Sequence, residues 1–283
     1  KQLDKAFCAA SILVFLKAAN EVELAFYSEG RNRLPSDFRN SLGPPELMMV
    51  HHPTTRNALV DVLRAVGDQF VKLNPPNLES QGIDRRADRL KTDHAVVKAV
   101  SSVLQLFGGA EFEAYQARRG LVYLETGEPL ALLVGPDVVR RFNIREQRFL
   151  FGRAALGLVD KAALVRKLSM GEFADVLGNS IRIHQPNWVG LGRKNEEQSK
   201  ALRKAYSRKS LKLLEEPAGA MASTNSVPIE PFVQGLLFSM DRAGLLVCAD
   251  VAAGLSLLLK EEAGPNAQKA ESTELITQSL GNR

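Results

Sequence analysis

Four histidines, two cysteines and 32 acidic residues are the groups in this 283-residue chain that could act as bases, nucleophiles or metal ligands. Their spacing is unfavourable for most of those roles. His51 and His52 are adjacent, so in an extended chain their rings point to opposite sides, and neither forms a ligand spacing with a third group. A position on a surface loop is expected for both. His94 falls one turn from Leu90 and Val97 in a helical pattern and reads as a core or boundary histidine. Cys8 lies inside an apolar helical run, where its thiolate is disfavoured, although a pairing of Cys8 with His184 stays open on sequence alone. No Gly-x-Ser-x-Gly elbow, phosphate-binding loop or dinucleotide glycine fingerprint is present. Gly108-Gly109 and Gly190-x-Gly192 read as helix stops or turns.

The elements that would position such groups follow from composition and periodicity. Hydrophobic residues at 45% and charged residues at 24% are ordinary globular values, and a net charge of +5 favours an anionic partner only weakly. The longest apolar run, Ala6 to Leu16 between Lys5 and Lys17, is shorter than the roughly 20 residues of a bilayer span, so no membrane insertion is expected. Cys8 and Cys248 sit far apart in apolar patterns, which suits a reduced, cytoplasmic compartment. A chain that begins at Lys1 suggests a piece excised from a longer polypeptide.

A first helix is expected from about Leu3 to Tyr27, then a long connector through Pro35, Gly43-Pro-Pro45 and His51-His52-Pro53, with one short helix near Phe38 to Leu42 capped by Ser36 or Asp37. Leu59, Val62, Leu63, Val66 and Phe70 repeat at three and four and predict a second helix, with Thr54 or Thr55 as cap. Asp84 is read as the cap of a third, running inward through Leu90, His94, Val97 and Phe107 to Gly108-Gly109. Leu121 to Leu124 and Leu130 to Val134 flank a turn and predict a β-hairpin. Short helices follow, over 145–158 and 160–168, and Ser169-Met-Gly-Glu172 is a capping-box spacing that opens another. A charged helix is expected from Glu196 to about Glu216, a linker over 217–228, and a final apolar helical region to Lys260 with a break near residue 250. The expected class is α+β, predominantly helical, with one short β-hairpin or small sheet. Its expected parts are a helical region over 1–80, a core over 81–262 and a polar tail over 263–283.

Long helix, strand pair, short helix, buried helix, charged spacer and a helix holding Asp241-Arg-Ala-Gly244: this order resembles the catalytic domain of HtpX-type zinc metallopeptidases. In that family the buried helix carries His-Glu-x-x-His, and a later helix supplies a glutamate ligand. Laid on Phe149 to Leu156, the pattern puts Gly152 at the first histidine, Arg153 at the glutamate and Leu156 at the second histidine. Leu237 falls at the third ligand, while Asp241 and Arg242 are retained. The resemblance therefore implies a metallopeptidase-like helical core with no metal, no cofactor and no catalytic residue, in which Arg153, Asp241 and Arg242 could form an ion pair in place of the metal. It further implies a bacterial protein with tetratricopeptide-like helical repeats, of which residues 1–80 would be an end or an adapter. Packing alone gives the same helix a second description, with small residues permitting close approach of a neighbour.

The remaining candidate is a basic segment: Arg193, Lys194, Lys200, Arg203, Lys204, Arg208, Lys209 and Lys212 meet only Glu196 and Glu197 up to that point. Such a stripe can neutralise phosphates without reading sequence, or it can be a solvated helix face. Tyr206 alone interrupts it, which gives little support to base stacking. Three functions stay open: a non-catalytic scaffold binding a protein partner, which leads; a nucleic-acid or anionic-surface binder, which is not favoured; and an enzyme of unrelated chemistry.

Overall fold

The computed structural model describes residues 2–34, 40–73, 75–118 and 120–262. The cap at Ser36-Asp37, the polar tail and its helix at Leu275 and Ile276 lie outside the described residues. Residues 40–42, at the end of the short helix expected there, are not helical.

The first long helix is two. Helices α1 (Gln2–Phe15) and α2 (Glu21–Asn32) form a hairpin because Lys17 takes a left-handed φ of 58° and Asn20 opens α2 with a capping box closed by Glu23. Helix α3 (Pro44–Val50) occupies the expected connector, with proline at its first position, where no amide donor is needed. Helix α4 (Ala58–Val66) is capped by Asn57. Helix α5 (Ala95–Leu106) starts ten residues later than the Asp84 cap implied. Asp84 instead closes a turn by accepting from the amides of Arg86 and Ala87, and His94 is the true cap, its Nδ1 accepting from Val96 N.

The sheet has three strands, β1 (Phe112–Gln116), β2 (Val122–Glu125) and β3 (Leu130–Val134), in the order β1-β3-β2. Strands β2 and β3 form the expected antiparallel hairpin, and β1 adds itself parallel to β3. Leu130, Leu132 and Val134 enter the main core, while Ala131 and Leu133 meet Leu78, Ile83 and Tyr115 on the opposite face. A central strand buried on both faces explains the unbroken apolar run.

Helices α6 (Asp137–Arg141) and α7 (Ile144–Val159) follow, the second opened by an Asn143–Glu146 capping box. A 3-10 turn (Ala162–Arg166) stands where a helix over 160–168 was expected, and α8 (Met170–Ile181) begins at the Ser169–Glu172 box. The charged helix is broken into α9 (Glu196–Ala205) and α10 (Arg208–Met221). Tyr206 turns inward to bond Ser180, and Ser207 caps α10. Helix α10 runs through Pro217 into the expected linker because Leu214, Ala218 and Met221 pack into the core that α4 shares. Helices α11 (Ile229–Cys248) and α12 (Val251–Glu262) meet at a left-handed Ala249, close to the expected break.

Two apolar clusters result. One joins α5, the sheet, α7, the second half of α11 and α12; the other joins α4, α8, α9, α10 and the first half of α11. Because α4 lies in the second cluster, a boundary at residue 80 runs through that core rather than between two packing units. No helix among the described residues is long and apolar enough to cross a membrane.

Candidate functional site

Helices α7 and α11 form the most extensive helix pair of the fold. Small residues let them touch. A Cβ on Gly152 would stand 2.7 Å from Ala243 O and 2.9 Å from Gly244 Cα, and one on Gly244 would stand 2.8 Å from Phe149 O. These are backbone atoms of the partner helix, so neither side can yield by a rotamer change. One turn further along α7, Gly157 leaves room for Leu124 of β2 and Met240 of α11.

Beside this seam lies a cavity of about 30 Å³, walled by Val122 and Leu124 of β2, Leu150 and Arg153 of α7, Ala163 of the 3-10 turn, and Leu237 and Met240 of α11. Arg153 Nε lies 2.9 Å from Asp241 Oδ1, with side chains 14% and 23% exposed, and its guanidinium stands 5.6 Å from the Phe149 ring centre. Of the positions singled out by the resemblance, Arg153 and Leu237 share this cavity. Gly152 instead faces Ala243 to Val247, and Leu156 is buried in the main core and does not line the cavity. Arg242 points to the other side of α11, where its Nη2 donates to Met49 O at 2.7 Å and its Nη1 reaches His51 O at 3.4 Å.

His94, expected in the core or at its boundary, is exposed as the cap of α5, while His52 and His184 are half-buried. His51 is buried, contrary to the loop-surface expectation, because the chain after α3 turns under α11. Arg64 donates to its Nε2 at 3.0 Å, and its Nδ1 lies 3.7 Å from Asp160 Oδ2. Asp160, the residue that caps the C-terminus of α7, is 1% exposed and is held by Arg64 at 2.8 and 2.9 Å. His52 accepts at Nδ1 from Thr54 N, and its own amide donates to Ser239 Oγ. His184 meets Leu211 O at 3.1 Å. Cys8 is exposed, and Cys248 is buried with its thiol pushed up to about 12 by desolvation, so both are free and the buried one is unreactive.

Burial pulls the His51 imidazole below its ordinary value of 6.5, against the opposite pull of Asp160. The native state then binds that proton less readily than the unfolded chain. Stability is complete above pH 6.5 and falls as pH drops from there through the native value. Burial raises Asp160 from 3.8, which acts in the reverse sense, its contribution fading as pH rises through its native value. The histidine is isolated by comparing variants: urea midpoints measured at about pH 7.5 and about pH 5.5 should fall less in His51→Gln than in the parent chain. An equal fall in both would refute the assignment.

The basic residues are all exposed. Arg193 is tied to Asp175 by Nε and Nη2 at 3.1 and 2.9 Å, and Lys200 pairs with Glu197. Arg203 and Lys204 end α9 while Arg208, Lys209 and Lys212 begin α10, so these five cations flank the break at Tyr206, none with an ion-pair partner among the described residues. Sequence reasoning missed the polar network that supports this region. Arg182, 4% exposed, donates to the carbonyls of Trp188, Leu191, Gly192 and Arg193 and to Asn179 Oδ1. Its one legible signal is an arginine following an apolar helix with an asparagine three residues before it.

Among the described residues no group of three or more His, Cys, Asp or Glu side chains is placed to hold a metal ion. No family model, curated protein or solved structure matches the chain.

Proposed function

We propose that this chain is a non-catalytic protein-docking domain, built on a peptidase-like helical frame without reacting groups. The observation that carries the reading is the floor of the α7–α11 cavity. Hydrolysis at such a place needs an activated water and a base, and what stands there is mostly hydrocarbon, with the guanidinium groups of Arg153, held by Asp241, and Arg166 and the phenol of Tyr123, and no carboxylate or imidazole in the lining. A guanidinium is a poor general base, and its positive charge opposes a divalent cation nearby. The 3-10 turn after α7 packs against β2, and Lys167 reaches Glu125 and Thr126 of that strand's end. We therefore assign docking to helical faces rather than to strand addition. Elemental analysis of protein made in zinc-supplemented medium, with casein as substrate, should give neither stoichiometric metal nor cleavage. Stoichiometric zinc together with hydrolysis would overturn the reading.

A second reading is an anionic partner at the α9–α10 break, favoured by the five exposed cations that flank it. Binding of a duplex oligonucleotide would then weaken steeply with salt, and glutamine at Arg203, Lys204, Arg208 and Lys209 should abolish it. Unchanged binding in that variant dismisses this reading.

A further inference from the structure

A second cleft, of about 330 Å³, opens between the loop after α8 and the turn after α10, and it shares no lining residue with the α7–α11 cavity. That size is at the lower end of small-molecule sites, about 300–1,000 Å³. Its two walls are locked together. Trp188 Nε1 donates to Thr224 O at 2.8 Å and Val227 N donates to Gly190 O at 2.9 Å. A Cβ on Gly190 would stand 2.5 Å from Trp188 Cζ2 and 2.8 Å from Thr224 O, so only glycine permits this approach. The buried Arg182 donates to four carbonyls of the same loop, those of Trp188, Leu191, Gly192 and Arg193. An irregular loop held by a desolvated arginine is pre-organised, which lowers the ordering cost of binding a ligand.

The lining has a definite chemistry. No charged side chain is in it. The side-chain amides of Gln185, Asn187 and Asn225 line it, and none of the three bonds another group among the described residues. Each amide offers both a donor and an acceptor. Exposed Pro186 and Val189, with Trp188 at 7% exposure in the floor, supply the apolar part. We infer that this cleft binds an uncharged saccharide of one or two rings, with the amides against its hydroxyls and the apolar groups against its C–H face. Sugar hydroxyls donate and accept, as the amides do. A phosphate, carboxylate or ammonium would find no counter-charge in the lining, and a wholly apolar ligand would strip water from three amides without replacing it. Strand addition by a peptide needs free backbone groups, whereas Gly190 O and Thr224 O are already used in closing the cleft.

Trp188 is the one tryptophan of the chain, so its emission reports from this cleft. The probes are maltose, cellobiose, lactose and N,N′-diacetylchitobiose, each titrated to about 20 mM, above the millimolar Kd that a few hydrogen bonds supply. A saturable change in emission is expected with at least one of them, indifferent to added salt because no charge is engaged. Affinity for that sugar should fall by about tenfold or more in Asn187→Ala and in Asn225→Ala. Both side chains are exposed and make no bond within the fold, so circular dichroism and the emission of the free protein should be unchanged in each variant. No saturable response to any of the four sugars, or equal affinity in the parent and both variants, overturns the inference. Tighter binding of glucuronate than of the neutral sugars, weakened by salt, would assign the cleft to an anion and also overturn it.

Discussion

Replacing Gly152 by leucine is expected to leave little folded protein. Overpacking a close-packed interior costs about 1–3 kcal/mol and sometimes more. Here the added atoms meet Ala243 O and Gly244 Cα, which can move only if the whole of α11 moves. A loss of at least about 3 kcal/mol is a large part of the ~5–15 kcal/mol that a domain possesses. Gly152→Ala is the sharper test. In an open helix that change would gain about 1 kcal/mol of helix propensity. At this seam the gain is outweighed, and a net loss of about 1–2 kcal/mol should lower Tm by roughly 2–4 °C per kcal/mol for a chain of this size. A rise in Tm would show that the helices are not in contact at Gly152. The same geometry bears on rebuilding a metal site. Histidine at positions 152 and 156 with glutamate at 237 would not converge, because Gly152 faces α11 at Ala243 to Val247 and not at Leu237.

Asp250→Ala should release the α1–α2 hairpin. Asp250 is fully buried at the junction of α11 and α12, where it accepts from Tyr27 Oη at 3.0 Å, from Arg31 Nε at 2.9 Å and from Ala253 N at 3.2 Å. Burial, with the neighbouring carboxylate, drives the Tyr27 hydroxyl far above the usual phenol range, so it remains a donor. Alanine strands that hydroxyl and the Ala253 amide, while Arg31, 40% exposed, recovers water. About 2–3 kcal/mol is the expected cost. Beyond the packing of α1 along α12 and the bond from Arg145 Nη2 to Leu34 O, the hairpin has little to hold it, since α1 buries only Ala10 and Ser11 and α2 buries no residue. Hydrogen exchange should therefore quicken through α1 and α2 and stay slow in α7 and α11. Exchange that rises equally everywhere, or nowhere, would refute this division of stability.

The parts of the fold that were legible are those written locally. Ser169 and Glu172 stand three residues apart, and the box they form starts α8 at the expected residue. The Asn20–Glu23 box has the same three-residue spacing and divides the single helix expected over Leu3 to Tyr27 into α1 and α2. The apolar pair around Thr126 to Pro129 marked the hairpin, but Phe112-Glu-Ala-Tyr-Gln116 carries weak strand preference and became β1 only because β3 had a second edge to offer. Pro217 read as a helix end, and burial of Leu214, Ala218 and Met221 overrode it.

At the candidate site the residue types were readable and their directions were not. Arg153 four positions after Phe149, with Asp241 and Arg242 on a later helix, showed which groups could take part. Which face each turns depends on how α7 rolls against α11, and that roll is set by the absence of side chains at Gly152 and Gly244 rather than by any group of the site. Likewise Asp160, Arg182 and Asp250 look like ordinary polar residues beside apolar helices. Asp160 and Asp250 are buried because distant segments close over them, α3 and α4 over Asp160 and α2 over Asp250, whereas Arg182 is covered by the loop that follows its own helix. Periodicity and capping, which act within a few residues, settled that the chain is mainly helical with a small sheet. Contacts between segments dozens to hundreds of residues apart, which no local pattern encodes, decided where Asp160 and Asp250 lie and how α7 meets α11.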